Sequence, residues 1–564
     1  MSGIPFKLVT AFSAASSVFV VGFRPELLLF SRPSYIGTFL QVWILSFSLW
    51  AFYKIVLYPK YFSPIRHFPT PPGGSWWNGH FAQIKALPTG GPMIEWIETV
   101  PNDGIIRYMG MFNSERLFVT TPKGLGEVLT TRNYDFIKPS HVATGLGRLL
   151  GIGVLLAEGE EHKRQRKNLM PAFAYRHVKN LVPVFWDKSR EAVNAMTDHI
   201  NAGGMPNSQL PTAHKRPDVE KGDAVTEVGE WASRATLDII GLAGMGQDFG
   251  SIKDPDTELN RTYRTVFKPS RQAAILGLLN VFLPGWFVRN IPVKRNGEIE
   301  AAAAVIRTTC RQLIRSKKDK LEKGELTDVD ILSVAIESGG FTEENLIDQL
   351  MTFLAAGHET TATAMTWAIY MLCLHPEVQT KLRAEIREKL PSVNGNEDVT
   401  TQDIDHMPYL NAVCNEVLRY YPPVPLTLRD AAQDTTILGQ AVPKGTRVMM
   451  VPWAINKSSA LWGPDGAKFN PDRWLPSEKN PHSANGGAQS NYSYLTFLHG
   501  PRSCIGQAFA KAEFMCLLAA WVGRFEFALS DERELDEKNV VIKGGVTAKP
   551  AKGLYVKTKI VQGW

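Results

Sequence analysis

Phe497, Gly500, Arg502, Cys504 and Gly506 stand in the spacing F-x-x-G-x-R-x-C-x-G, just ahead of an apolar helical run that ends near Val522. A helix starting at Cys504 would turn unpaired backbone N–H groups and the positive end of its dipole toward the sulfur, and Arg502 adds positive charge. Both favour a thiolate. Glycine at 500 and 506 removes side chains where a flat macrocycle would approach the backbone. The chemistry that this set serves is ligation of a haem iron. A thiolate axial ligand pushes electron density onto the metal and favours O–O bond cleavage.

A second set lies upstream. Thr342 is an N-cap for a helix predicted over Glu343 to Leu374, which stops before Pro376. Its middle reads Ala355-Ala356-Gly357-His358-Glu359-Thr360-Thr361. Glycine in a helix interior costs about 1 kcal/mol relative to alanine, and Thr360 can divert a backbone hydrogen bond, so the helix is expected to distort and open a groove for dioxygen. Thr360 is then placed to hydrogen-bond the dioxygen and Glu359 to relay protons. His358 is read as a surface or packing residue.

Glu416 and Arg419 lie three apart in a helix that begins near Met407-Pro408, so they share a face and can pair. Apolar flanks at Val413, Val417, Leu418 and Tyr420 point to partial burial. Phe469-Asn470-Pro471-Asp472-Arg473-Trp474 supplies a second guanidinium, Arg473. The two propionates of a haem need cationic or hydrogen-bonding partners, and Arg166, Arg429 and Arg502 are the candidates.

The elements that position these groups are mostly helical. Glu160 to Leu390 reads as helix apart from Asn201 to Asp223, an exposed insertion by composition. Strands are expected on either side of Asn113-Ser114-Glu115 and again from Thr435 to Val451, and the last helix is expected to begin at Cys504. Two apolar segments, Leu8 to Phe23 and Ile36 to Tyr53, approach the ~20 residues needed to cross a bilayer. Lys54, Lys60 and Arg66 follow the second, which puts the downstream domain on the cytosolic side. The proline-rich stretch from Pro59 to Gly74 is too rich in rings to continue a span and reads as a stiff connector. Residues 1–58 are therefore expected to form an anchor of one or two spans, the main one at 36–53, followed by a hinge at 59–75 and a catalytic domain at 76–564.

The formal net charge is +7, but Lys and Arg are spread through the chain, which favours a basic docking face over nucleic-acid binding. Five cysteines without a C-x-x-C pair argue against a zinc site or disulfide framework and suit a reducing compartment. No dinucleotide fingerprint is present, so electrons must come from a separate protein.

With A-G-x-E-T at Ala356 to Thr360, E-x-x-R at Glu416 to Arg419, F-x-P-x-R-W at Phe469 to Trp474 and the Cys504 loop in this order, the chain resembles the cytochrome P-450 superfamily of haem-thiolate monooxygenases over roughly residues 60 to 560. The resemblance implies a mainly α fold with minor β-sheets (α+β), a single haem-enclosing domain around a long central helix, preceded by N-terminal transmembrane helix or helices. It implies haem b (iron protoporphyrin IX) with Cys504 as the axial ligand, and Phe497 and Gly506 beside the cofactor. Glu416, Arg419 and Arg473 would form a structural triad, and Arg429 and Arg502 would hold propionates. His162 and Arg166 would occupy the W-x-x-x-R positions, with histidine where the family usually has tryptophan. Substrate contacts would fall near Ser140 to Leu156, Phe353 to Ala356, Val424 to Thr427 and Val546-Thr547.

The activity expected is insertion of one atom of dioxygen into a hydrophobic small molecule, in specialised-metabolite biosynthesis or in lipid or xenobiotic oxidation. Electrons would come from NADPH through a flavoprotein reductase, at an endoplasmic-reticulum membrane. Two other readings stay open at this point: a haem-thiolate isomerase, dehydratase or coupling enzyme that uses no reductant, and a haem sensor or carrier without turnover.

Overall fold

The long helix Glu343–Leu374 is the axis on which the domain is assembled. Thr342 caps it, its Oγ1 accepting from the Asn345 N–H at 3.2 Å. From Leu346 to Cys373 every residue is buried except Asp348, Ala356, Gly357 and Thr360. A helix apolar on most sides belongs inside a protein, and neighbours cover this one along most of its length. Helices Val228–Met245, Lys294–Glu322 and Gln507–Arg524 pack against it, as does Ser140–Leu150 near its N-terminal half. The computed structural model describes residues 6–24, 26, 34–214, 223–268, 270–325, 330–477 and 485–564.

Gly357 serves this packing. A Cβ there would come within 2.9 Å of Ile240 on the helix Val228–Met245, so the missing side chain lets the two helices approach. The expected distortion does not occur, and the backbone stays α-helical through Thr361. Thr360 Oγ1 donates to the Ala356 carbonyl at 2.8 Å, one turn back, without breaking the helix. His358 is wholly buried, with Nδ1 2.6 Å from the Leu354 carbonyl oxygen and its ring 4.7 Å from that of Tyr263. Burial holds its pKa below the ordinary value.

The sheets are small. One has the order Ile105–Met109, Glu115–Val119, Arg447–Met450, Thr427–Ala431 and Phe136–Ile137, antiparallel except where Glu115–Val119 meets Arg447–Met450. A three-stranded sheet places Tyr555–Ile560 between Asp223–Glu227 and Phe525–Leu529. Two hairpins, Thr435–Ile437 with Gln440–Val442 and Ile542–Gly544 with Ala548–Pro550, complete the set. The fold is mainly helical with minor sheets. Of the stretch read as an exposed insertion, 215–222 lie outside the described residues, while Leu210 and His214 are buried and Asp223 already begins a strand.

At the N-terminus, helices Phe6–Phe23 and Tyr35–Phe52 pack side by side. Trp43 Nε1 donates to Thr10 Oγ1 at 3.3 Å, Phe6 stacks on Trp43 and Phe47, and Ser13, Ser17 and Thr38 are buried. The second helix does not stop near Tyr53. It continues as a π-helix to Phe62, through Pro59, with a hydrogen bond from the Ser63 N–H to the Tyr58 carbonyl. The wider turn has a place for a proline that an α-helix lacks. The stretch read as a connector is held to the first sheet, since Arg107 Nη2 donates to the Pro59 carbonyl at 2.5 Å and Ser63 Oγ to Glu115 at 2.6 Å.

The last helix, Gln507–Arg524, begins three residues after Cys504, with Gly506 at its N-cap. Glu513 on this helix is fully buried, and neither of its carboxyl oxygens has a hydrogen-bond partner among the described residues. Burial raises its pKa well above the ordinary carboxyl value, and the nearby Thr361 hydroxyl opposes this only partly. The folded protein thus holds a proton that the unfolded chain releases above about pH 4.3, and stability falls as pH rises from there. Glu513→Gln should raise the melting temperature of the holoprotein, with a gap that widens between pH 5 and pH 8; thermal unfolding followed by circular dichroism checks this.

Candidate haem-thiolate site

The Cys504 loop is closed by a hydrogen bond from the Cys504 N–H to the Phe497 carbonyl at 2.8 Å. Gly500 has φ +72°, and a Cβ there would meet the Leu129 carbonyl oxygen at 2.2 Å. Its glycine therefore answers to the turn and to Leu129. Gly506 differs, because a Cβ on it would meet only Phe173, at 3.6 Å. Burial raises the Cys504 thiol above its ordinary value, while the Gly506 N–H and Arg166 oppose the shift. Cys504 nonetheless has exposed surface. A group both crowded by protein and open to contact faces an internal hollow. The sources of positive charge also differ from expectation. Arg502 turns to Glu158 and the Ala157 carbonyl, whereas Arg166 donates to Ser503 O at 2.7 Å and Ser503 Oγ at 3.1 Å, beside the sulfur.

Across the hollow stands the middle of the long helix. Phe173 bridges the two, lying next to Gly506 with its ring edge-on to Phe353 at 5.3 Å. Ala356 is exposed and Gly357 and Thr360 are half-buried, though neighbours cover the helix on both sides of them. Glu359, beside Thr360, is held by the C-terminal segment. It is 5% exposed, and its Oε1 accepts from Thr547 Oγ1 at 3.0 Å and Lys549 Nζ at 2.7 Å.

One edge of the hollow is crowded with positive charge. Arg429, on the strand Thr427–Ala431, and Arg502 are both buried. Burial, with Arg502 beside it, lowers Arg429 to about 10. Lys138 is lowered to about 7 by burial and by Arg429 and Arg502, against which Glu158 works in the other direction. His162 falls to about 4 through burial and the same cations, and its Nδ1 lies 3.2 Å from the Tyr134 hydroxyl. Among the described residues, Glu158 is the carboxylate that works against the shifts of Lys138 and Arg429, and Arg502 Nε is buried without a partner. A ligand that brings carboxylates fits such a deficit. Lys138 had no motif to mark it. Only the fold brings Lys138-Pro139 beside residues 429 and 502.

Behind the loop, Glu416 and Arg419 are wholly buried and joined by two hydrogen bonds of 2.7 Å. Arg419 places its remaining N–H groups on the carbonyls of Asn456, Gly466 and Lys468, so its full set of donors is used. Glu416 also accepts from Arg473 Nε at 3.2 Å, the Asn470 N–H at 2.7 Å and Trp474 Nε1 at 3.0 Å. Arg473 continues to Asp465. Sequence spacing pointed to the arginines but not to the indole or the backbone donor.

Residues 69–556 match the family model described as Cytochrome P450. The chain belongs to the cytochrome P450 family. Among its relatives, the cytochrome P450 monooxygenase sphH of Aspergillus fumigatus is 46% identical over 564 residues, covering 99% of this chain and 98% of that protein. The cytochrome P450 monooxygenase ALT8 of Alternaria alternata is 44% identical over 559 residues, with 92% and 93% covered. FUM15 of Gibberella moniliformis, of the same description, is 44% identical over 558 residues, with 92% and 91% covered. This P450 is accordingly a monooxygenase that works with haem, dioxygen, an organic substrate and a redox partner.

In the P450, removing one member of the buried ion pair leaves the others uncompensated. Glu416→Ala should cost about 3–5 kcal/mol of stability, because Arg419 and Arg473 keep their charges in the interior. Denaturant unfolding of the holoprotein checks the value.

Proposed function

We propose that this P450 is anchored in the endoplasmic-reticulum membrane with its catalytic domain in the cytosol, and binds haem b through Cys504. We further propose that it draws electrons from an NADPH-dependent flavoprotein reductase to oxidise a hydrophobic small molecule of specialised metabolism. The observation that carries the reading is the opening of Cys504 onto a hollow edged by Lys138, His162, Arg429 and Arg502. Among the described residues, these basic groups outnumber the one carboxylate paired with them, Glu158 on Arg502. These residues would hold the propionates. Phe497 and Gly506 would flank the ring and Arg166 would brace the loop, while Glu416, Arg419 and Arg473 keep the framework behind it. Haem bound through this sulfur supplies the activation of dioxygen, leaving one oxygen atom in the substrate and the other in water.

The chain's own part is to place the substrate and move protons. Ile152 and Leu155, in the segment after the helix Ser140–Leu150, leave 48% and 36% of their surface exposed. With Ala356 they suit an apolar ligand held by shape more than by polar anchors. The Thr360 hydroxyl is free to exchange the Ala356 carbonyl for a reacting oxygen, and Glu359 stands one residue away to resupply its proton. Outside, Lys163, Arg164, Lys167, Arg176 and Lys179 are exposed on the segment that carries His162 and Arg166 within, a face suited to an acidic reductase.

The helices Phe6–Phe23 and Tyr35–Phe62 support a two-span anchor. Their outward faces carry Leu8, Phe12, Phe19, Ile36, Ile44 and Leu49, while small hydroxyl residues lie between them. Eighteen helical residues rise about 27 Å, near the hydrocarbon thickness of that membrane. The N-terminus would then share the cytosolic side with the catalytic domain. A glycosylation acceptor placed between the two helices should be modified in cells, and one placed ahead of Phe6 should remain bare.

Carbon monoxide added to the reduced protein should give the red-shifted Soret band of sulfur-anion ligation, and Cys504→Ser should lose it. Equal spectra from the two would overturn the reading. Consumption of NADPH and dioxygen with the purified reductase, together with metabolite profiles of cells with and without the protein, then tests the reaction and its substrate class.

A further inference from the structure

One carboxylate joins the C-terminal hairpin to the middle of the long helix. The strands Ile542–Gly544 and Ala548–Pro550 are pinned at Ala548, whose N–H donates to the Pro423 carbonyl at 2.9 Å and whose carbonyl accepts from Trp367 Nε1 at 2.8 Å. On either side of the pin, Thr547 Oγ1 and Lys549 Nζ donate to the same oxygen of Glu359, at 3.0 and 2.7 Å. Thr547 immediately precedes the strand and Lys549 lies two positions on, so the hairpin aims both donors at one target. Glu359 Oε2 has no protein donor among the described residues. His358 is the other titratable neighbour, and burial keeps it neutral. Glu359 is almost entirely buried, whereas the Lys549 side chain keeps 38% of its surface exposed. The ammonium is thus the solvent-side member of the pair.

The geometry points to Lys549, with Thr547, as the positioning residue for Glu359: it keeps this carboxylate drawn to the hairpin, and is the entry point through which protons reach it from solvent. The inference rests on the reading of Glu359 and Thr360 as a relay. When a proton passes, a Lys549 N–H bond breaks and a Glu359 O–H bond forms. The amine recovers its proton from water, and no electrons move. A buried carboxylate without a counter-charge keeps its proton, so loss of the lysine should turn Glu359 from a relay into a stored acid.

The test uses the holoenzyme with purified reductase, NADPH and dioxygen, and follows hydrogen peroxide against water as products. Infrared spectroscopy of the same holoenzyme at neutral pH reports any protonated carboxyl. Lys549→Met should gain a carboxylic-acid band that is absent from the Lys549→Met, Glu359→Gln double variant, and should change the peroxide-to-water ratio by about threefold or more. Lys549→Arg should restore both, which a merely structural role would not require. Thr547→Val, which keeps the charge, should leave the infrared signal at the parent's level. If Lys549→Met matches the parent in both measurements while Glu359→Gln does not, the role of the lysine is wrong and the relay stands. If Glu359→Gln and Thr360→Ala also match the parent, the relay fails as well.

Discussion

A guanidinium and a carboxylate with no access to water hold the framework behind the sulfur. Glu416 and Arg419 are costly to bury, and the cost is offset only because every donor of the arginine is used and the carboxylate takes five hydrogen bonds. Those bonds fix backbone that would otherwise be loop. Arg419 holds the Asn456 carbonyl, and Asn456 in turn accepts from the Leu495 N–H and donates to Thr496 Oγ1. Phe497, next in the chain, accepts from the Cys504 N–H. A buried ion pair thereby reaches the cysteine loop through side-chain and backbone bonds, and the loop's shape follows from groups far from it in sequence.

The interior is asymmetric in charge around this frame. At the edge of the hollow, burial first and neighbouring cations second push Lys138 and His162 toward their neutral forms. On the C-terminal helix a carboxyl, Glu513, is held in its acid form. The first arrangement is relieved by an anionic ligand, because each added carboxylate restores the charged state of a neighbouring cation. The second has no such remedy among the described residues. Charge placed where a ligand can meet it differs in consequence from charge enclosed without a partner.

Features set by near neighbours in the chain were legible in the sequence. The Thr342 cap, the bounds of the helix Glu343–Leu374 and the pairing of Glu416 with Arg419 depend on residues three or four apart, and local spacing carries them. Legibility fails where two distant segments meet. Gly357 was read as a weakness in its helix, but its neighbour is Ile240, more than a hundred residues earlier. Lys138 and Lys549 carry no motif, and their environments arise only when strands bring them beside Arg429 and Glu359. Proline at 59 signalled a break because an α-helix cannot hold it, while the chain used the wider π turn and clamped it with Arg107. The start of the last helix was misplaced for a related reason. Cys504 belongs to a loop closed by Phe497, and helical bonding resumes only beyond Gly506.

Glu359 and Gly357 share a physical lesson about the long helix. A helix buried on every side has no free face for solvent to reach, so any polar group on it must be answered by another segment. Thr360 is answered by its own helix, one turn back, and keeps a hydroxyl that can be released without unfolding anything. Glu359 is answered from the C-terminal hairpin, by donors that Ala548 ties to Trp367 of the same long helix. The apolar pocket proposed for the substrate would exclude the water that otherwise supplies protons at random. The partly exposed ammonium of Lys549 is then a defined point at which solvent meets the buried acid, and that restriction allows proton supply to be governed by protein geometry.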